Sequence, residues 1–116
     1  MQRFMLRSKI HRVTLTGTEL DYEGSIAIDR DLIAAAGLLP GEQVHVLNVN
    51  SGSRLVTYVI EAPAGSGTML LNGPAARLGV RGDKVVVLAY CGLSEEEART
   101  WKPVIVHVDD QNRPLR

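Results

Sequence analysis

The chain has 116 residues, of which 45% are hydrophobic and 22% charged, as in one ordinary globular domain spanning residues 1–116. Thirteen basic residues balance thirteen acidic ones without a basic stripe, which argues against a nucleic-acid partner. No run approaches the ~20 apolar residues of a membrane span, and Cys91 has no second cysteine for a disulfide or a metal site, so we expect a cytoplasmic protein without metal and without a membrane partner.

Short β-type segments separated by Gly, Asn and Pro dominate the chain. The predicted strands cover residues 12–16, 25–28, 43–48, 54–62, 68–71, 84–91 and 104–108. Residues 50–53 predict a hairpin turn in which Gly52 supplies a positive φ. Cys91 follows an apolar run, which predicts a buried thiol. The pattern indicates a mainly β fold, a β-barrel with short helices.

Two short helices are predicted from their capping residues. Asp29 caps a helix over residues 30–36, which Gly37 closes. Ser94 and Glu97 form a capping-box pattern before a second helix over residues 95–100.

A faint internal repeat relates the segment beginning at Gly41-Glu42 to the one beginning at Gly82-Asp83, 41 positions later. Each copy follows a helix-like, Ala-rich segment and continues into a Val-rich strand. Two copies are too few for a solenoid, but they suit a closed barrel whose halves are related by a pseudo-twofold axis.

The tetrapeptide Tyr22-Glu23-Gly24-Ser25 carries the most distinctive chemistry. If Ser25 attacks the carbonyl of Gly24, the amide becomes an ester, and elimination with loss of ammonia leaves a pyruvoyl ketone at the new N-terminus. Gly24 suits this reaction because a residue without Cβ holds backbone angles that others avoid and leaves its carbonyl open. A Gly-Ser dipeptide is equally typical of an ordinary turn.

Further motifs occur in a fixed order along the chain: Lys9-Ile10-His11-Arg12, Tyr22-Glu23-Gly24-Ser25, Arg54, Thr57-Tyr58, Gly65-Ser66, Asn72-Gly73 and Arg99-Thr100-Trp101. In order and spacing they resemble the pyruvoyl-dependent aspartate 1-decarboxylase family. The resemblance implies a six-stranded double-psi β-barrel, self-cleavage into segments 1–24 and 25–116, and a homotetramer with active sites between subunits. It implies conversion of L-aspartate to β-alanine and CO₂ for pantothenate and coenzyme A synthesis. The covalent cofactor would be a pyruvoyl group made from Ser25, and the need for a maturation factor stays open.

The resemblance gives roles to three side chains around one predicted strand. Arg54 would grip a substrate carboxylate, as a guanidinium does through paired charge-assisted bonds. Tyr58 would return a proton after CO₂ leaves, since a phenol stays protonated at neutral pH. Thr57 would hold the oxyanion during self-cleavage and contact the substrate. From the residues alone, a solvated arginine, an interior tyrosine and a β-branched strand former are equally typical.

The period of a strand places Arg54 and Tyr58 on one face, about 13 Å apart, and Thr57 on the other. Two explanations reconcile this parity with a shared site. Either a bulge re-aims one side chain, or both faces of the strand are used, as at a site between subunits.

The resemblance also gives roles to residues near the start of the chain and next to the cleavage site. Lys9 would lie near the new Gly24 terminus and the substrate carboxylate, and His11 would have a supporting role, although solvated positions are the simpler interpretation. Tyr22 would position the pyruvoyl group or the substrate, or only pack against the barrel. Asp21 and Arg77 replace what are often histidines in the family.

Asn72-Gly73 predicts a turn into a short helix, whose backbone amides suit a carboxylate or the processing intermediate. The resemblance makes Asn72, Gly73 and Ala75 substrate-binding residues. Pro74 departs from the family pattern, in which alanine is more usual, and it has no N–H to donate.

A different class of function is also compatible with these patterns, because a fold does not dictate an activity. The chain could be a non-catalytic small β-barrel that oligomerises or binds a ligand. Such a module would keep one intact chain of 12.6 kDa, whereas the enzyme would be found as two fragments.

Overall fold

The computed structural model describes residues 1–115, which form a mainly β structure with short helices, as predicted. In chain order the elements are β1 (Gln2–Thr14), β2 (Gly17–Glu19), β3 (Ser25–Asp29), α1 (Arg30–Ala36), β4 (Gln43–Asn48), β5 (Arg54–Ala62), β6 (Met69–Asn72), a 3-10 helix (Gly73–Leu78), β7 (Lys84–Ser94), α2 (Glu95–Thr100) and β8 (Val104–His107).

The strands are hydrogen-bonded in the order β2-β6-β3-β5-β4-β7-β1-β8. The pairs β1/β8, β2/β6 and β3/β5 are parallel, and the remaining pairs are antiparallel. Within residues 1–115 this is an open order of eight strands, so closure into a six-stranded double-psi barrel is not shown. Only Leu15 and Thr16 separate the end of β1 from the start of β2.

Several predicted bounds are confirmed, and others are wrong for a physical reason. The predicted bounds of α1, α2, β4 and β5 are confirmed. The first predicted strand is wrong at its start, because β1 already begins at Gln2, where it pairs with Ser94 at the end of β7. This outer part of β1 is exposed or half-buried, and its apolar residues Phe4, Met5 and Leu6 are consecutive, so no apolar alternation marks it as a strand. β2 has three residues, half-buried or exposed, and is a strand only through its pairing with β6.

The core lies where β1, β3, β4 and β7 meet α1, and all five residues of β3 are buried. Asp29 at the end of β3 is 1% exposed, and its carboxylate accepts the amide of Asp31, which caps α1 as predicted. The same carboxylate accepts the amides of Gly65 at 3.1 Å and Gly67 at 2.8 Å, so it also fixes the loop before β6. The largest fully buried side chains are Ile10, Leu15, Ile26, Ile28, Leu32, Met69 and Leu71.

The two copies of the repeat make the same backbone hydrogen bonds. In the first copy the amide of Gly41 donates to the carbonyl of Val59 at 2.7 Å, and the amide of Val59 donates to the carbonyl of Glu42 at 3.0 Å. The second copy makes both bonds with the equivalent residues Gly82, Leu15 and Asp83, at 2.9 and 2.8 Å. The repeat therefore corresponds to two equivalent turns against two equivalent buried strand positions.

Three further features concern the earlier expectations. Cys91 is a free thiol that is half-buried rather than buried, because it lies beyond the apolar part of β7. Among residues 1–115, no helix is both long and apolar enough to cross a bilayer. The same residues contain no group of three or more His, Cys, Asp or Glu side chains placed to hold a metal ion.

Candidate active site

Ser25 is the first residue of β3, and its hydroxyl is held by two hydrogen bonds in a buried position. The residue is 0% exposed. Its Oγ accepts a hydrogen bond from Nδ2 of Asn72 at 3.0 Å and donates to the carbonyl of Glu23 at 3.3 Å. The backbone of Ser25 pairs with Asn72, the last residue of β6, which fixes the two side chains side by side. The serine hydroxyl is therefore oriented and shielded from water.

The glycine that requires its missing side chain is Gly73, not Gly24. The φ of Gly24 lies outside the left-handed region, and a Cβ added there would meet only Cδ of Pro74 at 3.5 Å, an ordinary contact. Gly24 therefore does not use the left-handed angles that a residue without Cβ can adopt. Gly73 has a φ of 64°, and a Cβ there would lie 2.7 Å from the nitrogen of Gly24 and 2.7 Å from the carbonyl oxygen of Tyr22.

A cleft of about 380 Å³ lies between β5 and the 3-10 helix, beside the Gly24-Ser25 peptide. Four of the predicted site residues line it, and the others in its lining are apolar or proline; the full set is Gly24, Leu55, Val56, Thr57, Tyr58, Pro74, Ala75 and Leu78. β3 runs parallel to β5 with Ile26 opposite Val59, so Ser25 and Tyr58 immediately precede the same pair of residues. The fold thus brings Gly24, Ser25, Thr57 and Tyr58 to one place.

Residues from both faces of β5 line the cleft beside Gly24, and no bulge brings them there. Burial alternates along the strand, with Leu55 and Thr57 half-buried while Val56 and Tyr58 are exposed. The pairing of β4 with β5 is regular from Gln43 opposite Tyr58 onward, without a register shift, so no bulge re-aims a side chain there. Thr57 faces inward and Tyr58 outward, and both still border the cleft.

Arg54 lies at the start of β5, exposed and outside the cleft beside Gly24. Its Nη1 is 3.4 Å from Nδ1 of His45 on β4, and the imidazole ring of His45 packs edge-on against Tyr90 of β7 at 5.1 Å between ring centroids. His45 also lines a second cleft of about 550 Å³ with Phe4, Gln43, Tyr90, Cys91 and Gly92. Sequence reasoning missed His45, and the pairing of β4 with β5 is the signal that would have found it, because it places His45 diagonally beside Arg54.

Lys9 and His11 lie on β1, outside the cleft beside Gly24. Lys9 pairs with Leu88 of β7, and His11 pairs with His107 of β8, with the two imidazole rings edge-on at 5.6 Å. Nδ1 of His11 is buried, and it has no hydrogen-bond partner among residues 1–115. Desolvation lowers the pKa of His11 from its ordinary value of 6.5, and the positive charges of Lys9, His107 and Arg12 lower it further.

Tyr22, Asp21 and Arg77 are exposed. Tyr22 is 57% exposed, so more than half of its surface meets solvent. Its carbonyl oxygen abuts Gly73. The contact of this segment with Gly73 is thus made by its backbone.

The fold and the site together define a small, mainly β protein with a buried serine hydroxyl fixed next to the peptide bond that precedes it. Residues 1–115 match the family model described as aspartate decarboxylase, and the chain belongs to that family. It is 61% identical over 109 residues to the aspartate 1-decarboxylase of Dehalococcoides mccartyi, covering 94% of this chain and 88% of that protein. It is 49% identical over 115 residues to the aspartate 1-decarboxylase of Thermoanaerobacter pseudethanolicus, covering 99% and 98%. The corresponding protein of Caulobacter vibrioides is 55% identical over 108 residues, covering 93% and 92%.

Proposed function

We propose that this chain is a self-processing aspartate 1-decarboxylase, which converts L-aspartate to β-alanine and CO₂ and so supplies pantothenate and coenzyme A synthesis. Membership of the aspartate decarboxylase family over residues 1–115 supports the substrate and the reaction. The buried, doubly hydrogen-bonded hydroxyl of Ser25 next to Gly24 is the observation that supports self-processing.

Self-cleavage begins when Oγ of Ser25 bonds to the carbonyl carbon of Gly24. The hydroxyl proton passes to the amide nitrogen, the C–N bond breaks, and an ester links the two segments. Elimination then releases the carboxyl group of Gly24 and leaves a dehydroalanine, which takes up water and loses ammonia to become the pyruvoyl end of segment 25–116. Asn72 orients the attacking oxygen at 3.0 Å, and Thr57 donates a hydrogen bond to the developing oxyanion.

The residues present fit a pyruvoyl group at position 25. The position is buried at the start of β3, and the cleft beside Gly24 leaves about 380 Å³ for a small substrate. The group supplies, once formed, a ketone that accepts electrons from the bond that breaks.

The side chains around the cleft bind the substrate and move one proton. Tyr58 borders the cleft and holds the phenolic proton that is delivered to the substrate carbon after CO₂ leaves. Arg54 binds a substrate carboxylate with Lys9, and Thr57 contacts the substrate as well. Three further residues at and after the end of β6 complete the substrate site, namely Asn72, Gly73 and Ala75. His11 and Tyr22 have supporting roles.

We propose that the active enzyme is a homotetramer with its sites between subunits. Several large apolar side chains lie exposed on the face that also carries Tyr58, which supports burial by another copy. Phe4 is 84% exposed, Val56 53% and Tyr90 40%. Arg54, Lys9 and His11 lie outside the cleft of their own chain, which is consistent with their serving the cleft of a neighbour. The free thiol of Cys91 is consistent with a reducing cytoplasm.

The finer fold that we propose is a six-stranded double-psi β-barrel with a pseudo-twofold axis. If β1 and β2 are treated as one strand interrupted at Leu15 and Thr16, the pairing order closes into a ring of six strands, β1/β2-β6-β3-β5-β4-β7. β8 then pairs with β1 outside the ring. The matched hydrogen bonds of the two repeat copies support the twofold relation.

The deciding experiment is the intact mass of the purified wild-type chain over a prolonged incubation, together with CO₂ release from L-aspartate. We expect the 12.6 kDa chain to be replaced by fragments 1–24 and 25–116, and CO₂ release to rise with cleavage. Ser25→Ala should abolish both, whereas Ser53→Ala, at the end of the hairpin turn, should change neither. A wild-type chain that stays intact, with or without cell extract as a source of a maturation factor, and releases no CO₂ would refute the proposal and favour a non-catalytic binding module.

A further inference from the structure

The segment Asn72-Gly73-Pro74 contacts both partners of the proposed self-cleavage. Asn72 bonds the nucleophile, since its Nδ2 is 3.0 Å from Oγ of Ser25. Gly73 lies against the electrophile, since the space that its side chain would fill is within 2.8 Å of both N and Cα of Gly24. The ring of Pro74 lies beside Gly24, with its Cδ 3.5 Å from where a Cβ of residue 24 would be. One short segment, through the side chain of Asn72 and the backbone of Gly73, thus contacts both the attacking oxygen and the attacked residue.

The close approach follows from strand pairing. β3 begins at Ser25 and β6 ends at Asn72, and these two residues form the terminal pair of an antiparallel ladder. Gly24 and Gly73 are the next residues on each chain, so they lie opposite each other just beyond the ladder. Gly73 takes a φ of 64° there and turns the chain into the 3-10 helix, with its Cα hydrogens against the backbone of Tyr22 and Gly24. Contacts below 3.0 Å are closer than a real Cβ tolerates.

We infer that Gly73 is a positioning residue for self-cleavage, because its missing side chain lets the Gly24 carbonyl stay within reach of Ser25 Oγ. This role rests on the proposed self-processing and is separate from any contact that Gly73 makes to aspartate. Any side chain at position 73 pushes the backbone of residues 22–24 away from the backbone of Gly73, against which it packs. Since a misplacement of about 1 Å costs a positioned reaction on the order of 100-fold, such a displacement stops maturation.

The displacement is local because the chain before Gly24 has room to move. Leu20 is 49% exposed and Tyr22 57%, and residues 20–23 form an exposed turn rather than part of the ladder. We therefore expect Gly73→Ala to fold, with residues 22–24 shifted toward solvent. To separate the effect at position 73 from a general effect on folding, we compare it with a second glycine that also has a φ in the left-handed region.

Gly52 is the matched control. It has a φ of 78°, similar to that of Gly73, but a Cβ there would meet no atom within 4 Å. Gly52→Ala carries the backbone strain of an L-residue in the left-handed region without the steric contact. The difference in cleavage rate between the two variants therefore reports the steric contact with Gly24, separately from backbone strain.

The experiment follows conversion of the intact chain to two fragments by mass spectrometry, without aspartate, for the wild type, Gly73→Ala and Gly52→Ala. We expect Gly52→Ala to cleave within about 2-fold of the wild-type rate and Gly73→Ala to cleave about 100-fold more slowly or not at all. Both variants should keep a cooperative thermal transition. Limited proteolysis in the uncleavable Ser25→Ala background should cut residues 20–24 faster when Gly73→Ala is added, and not when Gly52→Ala is added.

The outcomes separate this inference from the proposed function. A wild-type chain that never cleaves, with or without added cell extract, refutes self-processing itself. If the wild type cleaves and a folded Gly73→Ala cleaves equally fast, the positioning role of Gly73 is wrong. A Gly73→Ala chain that fails to fold while Gly52→Ala folds also overturns it, because Gly73 is then required for folding. Unchanged proteolysis in the Ser25→Ala background contradicts the predicted displacement.

Discussion

The cleavage region and the carboxylate-binding region of this chain differ in how far a single chain completes them. Around the scissile peptide, Ser25, Asn72 and Gly73 are buried; Asn72 bonds Ser25, and Gly73 lies against Gly24. The residues predicted to bind the substrate carboxylate, Arg54 and Lys9, lie on different strands outside that cleft, and Arg54 is exposed. Under the function proposed above, a single chain already holds the groups for self-cleavage together, whereas the proposed carboxylate-binding residues are left for a second copy to complete.

The difference has a physical origin in the strands. The residues proposed for self-cleavage lie at the terminal pair of β3 with β6, which the ladder fixes whatever covers the outside of the sheet. The residues proposed for carboxylate binding and proton transfer, Arg54 and Tyr58, lie on the outward face of β5 and meet solvent in the single chain. Charge-assisted bonds gain strength when water is excluded, so the proposed carboxylate site would bind more strongly once this face is covered.

Tyr58→Phe has the largest expected effect on turnover, and it should separate turnover from cleavage. We expect the variant to cleave at the wild-type rate, since Ser25, Asn72 and Gly73 are untouched. Its kcat should fall about 10²- to 10⁴-fold, the usual contribution of a positioned proton donor. Fragment masses and CO₂ release measure the two steps, and Tyr90→Phe is the control on the same face. Normal turnover of Tyr58→Phe would remove the phenol from the mechanism.

Thr57→Val should affect self-cleavage, because Thr57, on the inward face of the same strand, is the proposed oxyanion donor. Valine keeps the shape and removes only the hydroxyl, so maturation should slow about 10²- to 10³-fold, as when one oxyanion donor is lost. The measurement is the rate of fragment formation, with Thr18→Val on exposed β2 as the control. Unimpeded cleavage of Thr57→Val, with a normal thermal transition, would show that the oxyanion is held by another group.

Local signals in the sequence determined much of this fold. The caps Asp29 and Ser94 predict both helices, and Asp29 and Gly37 occupy the cap positions expected of them. β4 and β5 were predictable because one face of each is buried and their side chains alternate. The ends of β1 and the whole of β2 were not, because their strand character comes from hydrogen bonds to partners distant in sequence.

The candidate site divides in the same way. Motif order points to Ser25, Thr57, Tyr58 and Asn72. The fold places Thr57 and Tyr58 in the cleft beside Gly24, and it buries Ser25 and Asn72 in contact with each other next to that glycine. The steric role of Gly73 was not predictable, since it depends on the terminal strand pair that sets two backbones against each other. The contact between Arg54 and His45 likewise depends on the register of β4 with β5.

Arg54→Ala tests the exposed side of the comparison directly. Loss of the guanidinium should raise the KM for aspartate about 30-fold, corresponding to about 2 kcal/mol, while cleavage stays normal. Arg30→Ala removes another exposed arginine, paired with Glu61, and should leave KM unchanged. An unchanged KM in Arg54→Ala would place carboxylate binding elsewhere.

His45→Ala extends that test through the 3.4 Å contact of its Nδ1 with Arg54. We expect a rise in KM of about 5-fold, since a single hydrogen bond contributes about 1 kcal/mol. The double variant His45→Ala/Arg54→Ala should be no worse than Arg54→Ala, because residues in contact are not additive. Additive effects would show that the two side chains act independently.

The smallest expected effect concerns His11, which titrates below its ordinary pKa of 6.5 because of desolvation and the nearby positive charges of Lys9, His107 and Arg12. The folded state therefore binds fewer protons at this ring than the unfolded state as the pH falls below 6.5. The stability that depends on a neutral His11 is present above pH 6.5 and is lost as the pH falls through the folded pKa. NMR titration of the uncleaved Ser25→Ala chain measures this pKa. His107→Gln should raise it by removing one positive charge, whereas His45→Gln should not. A His11 pKa at or above 6.5 would contradict the burial and charge environment described for β1 and β8.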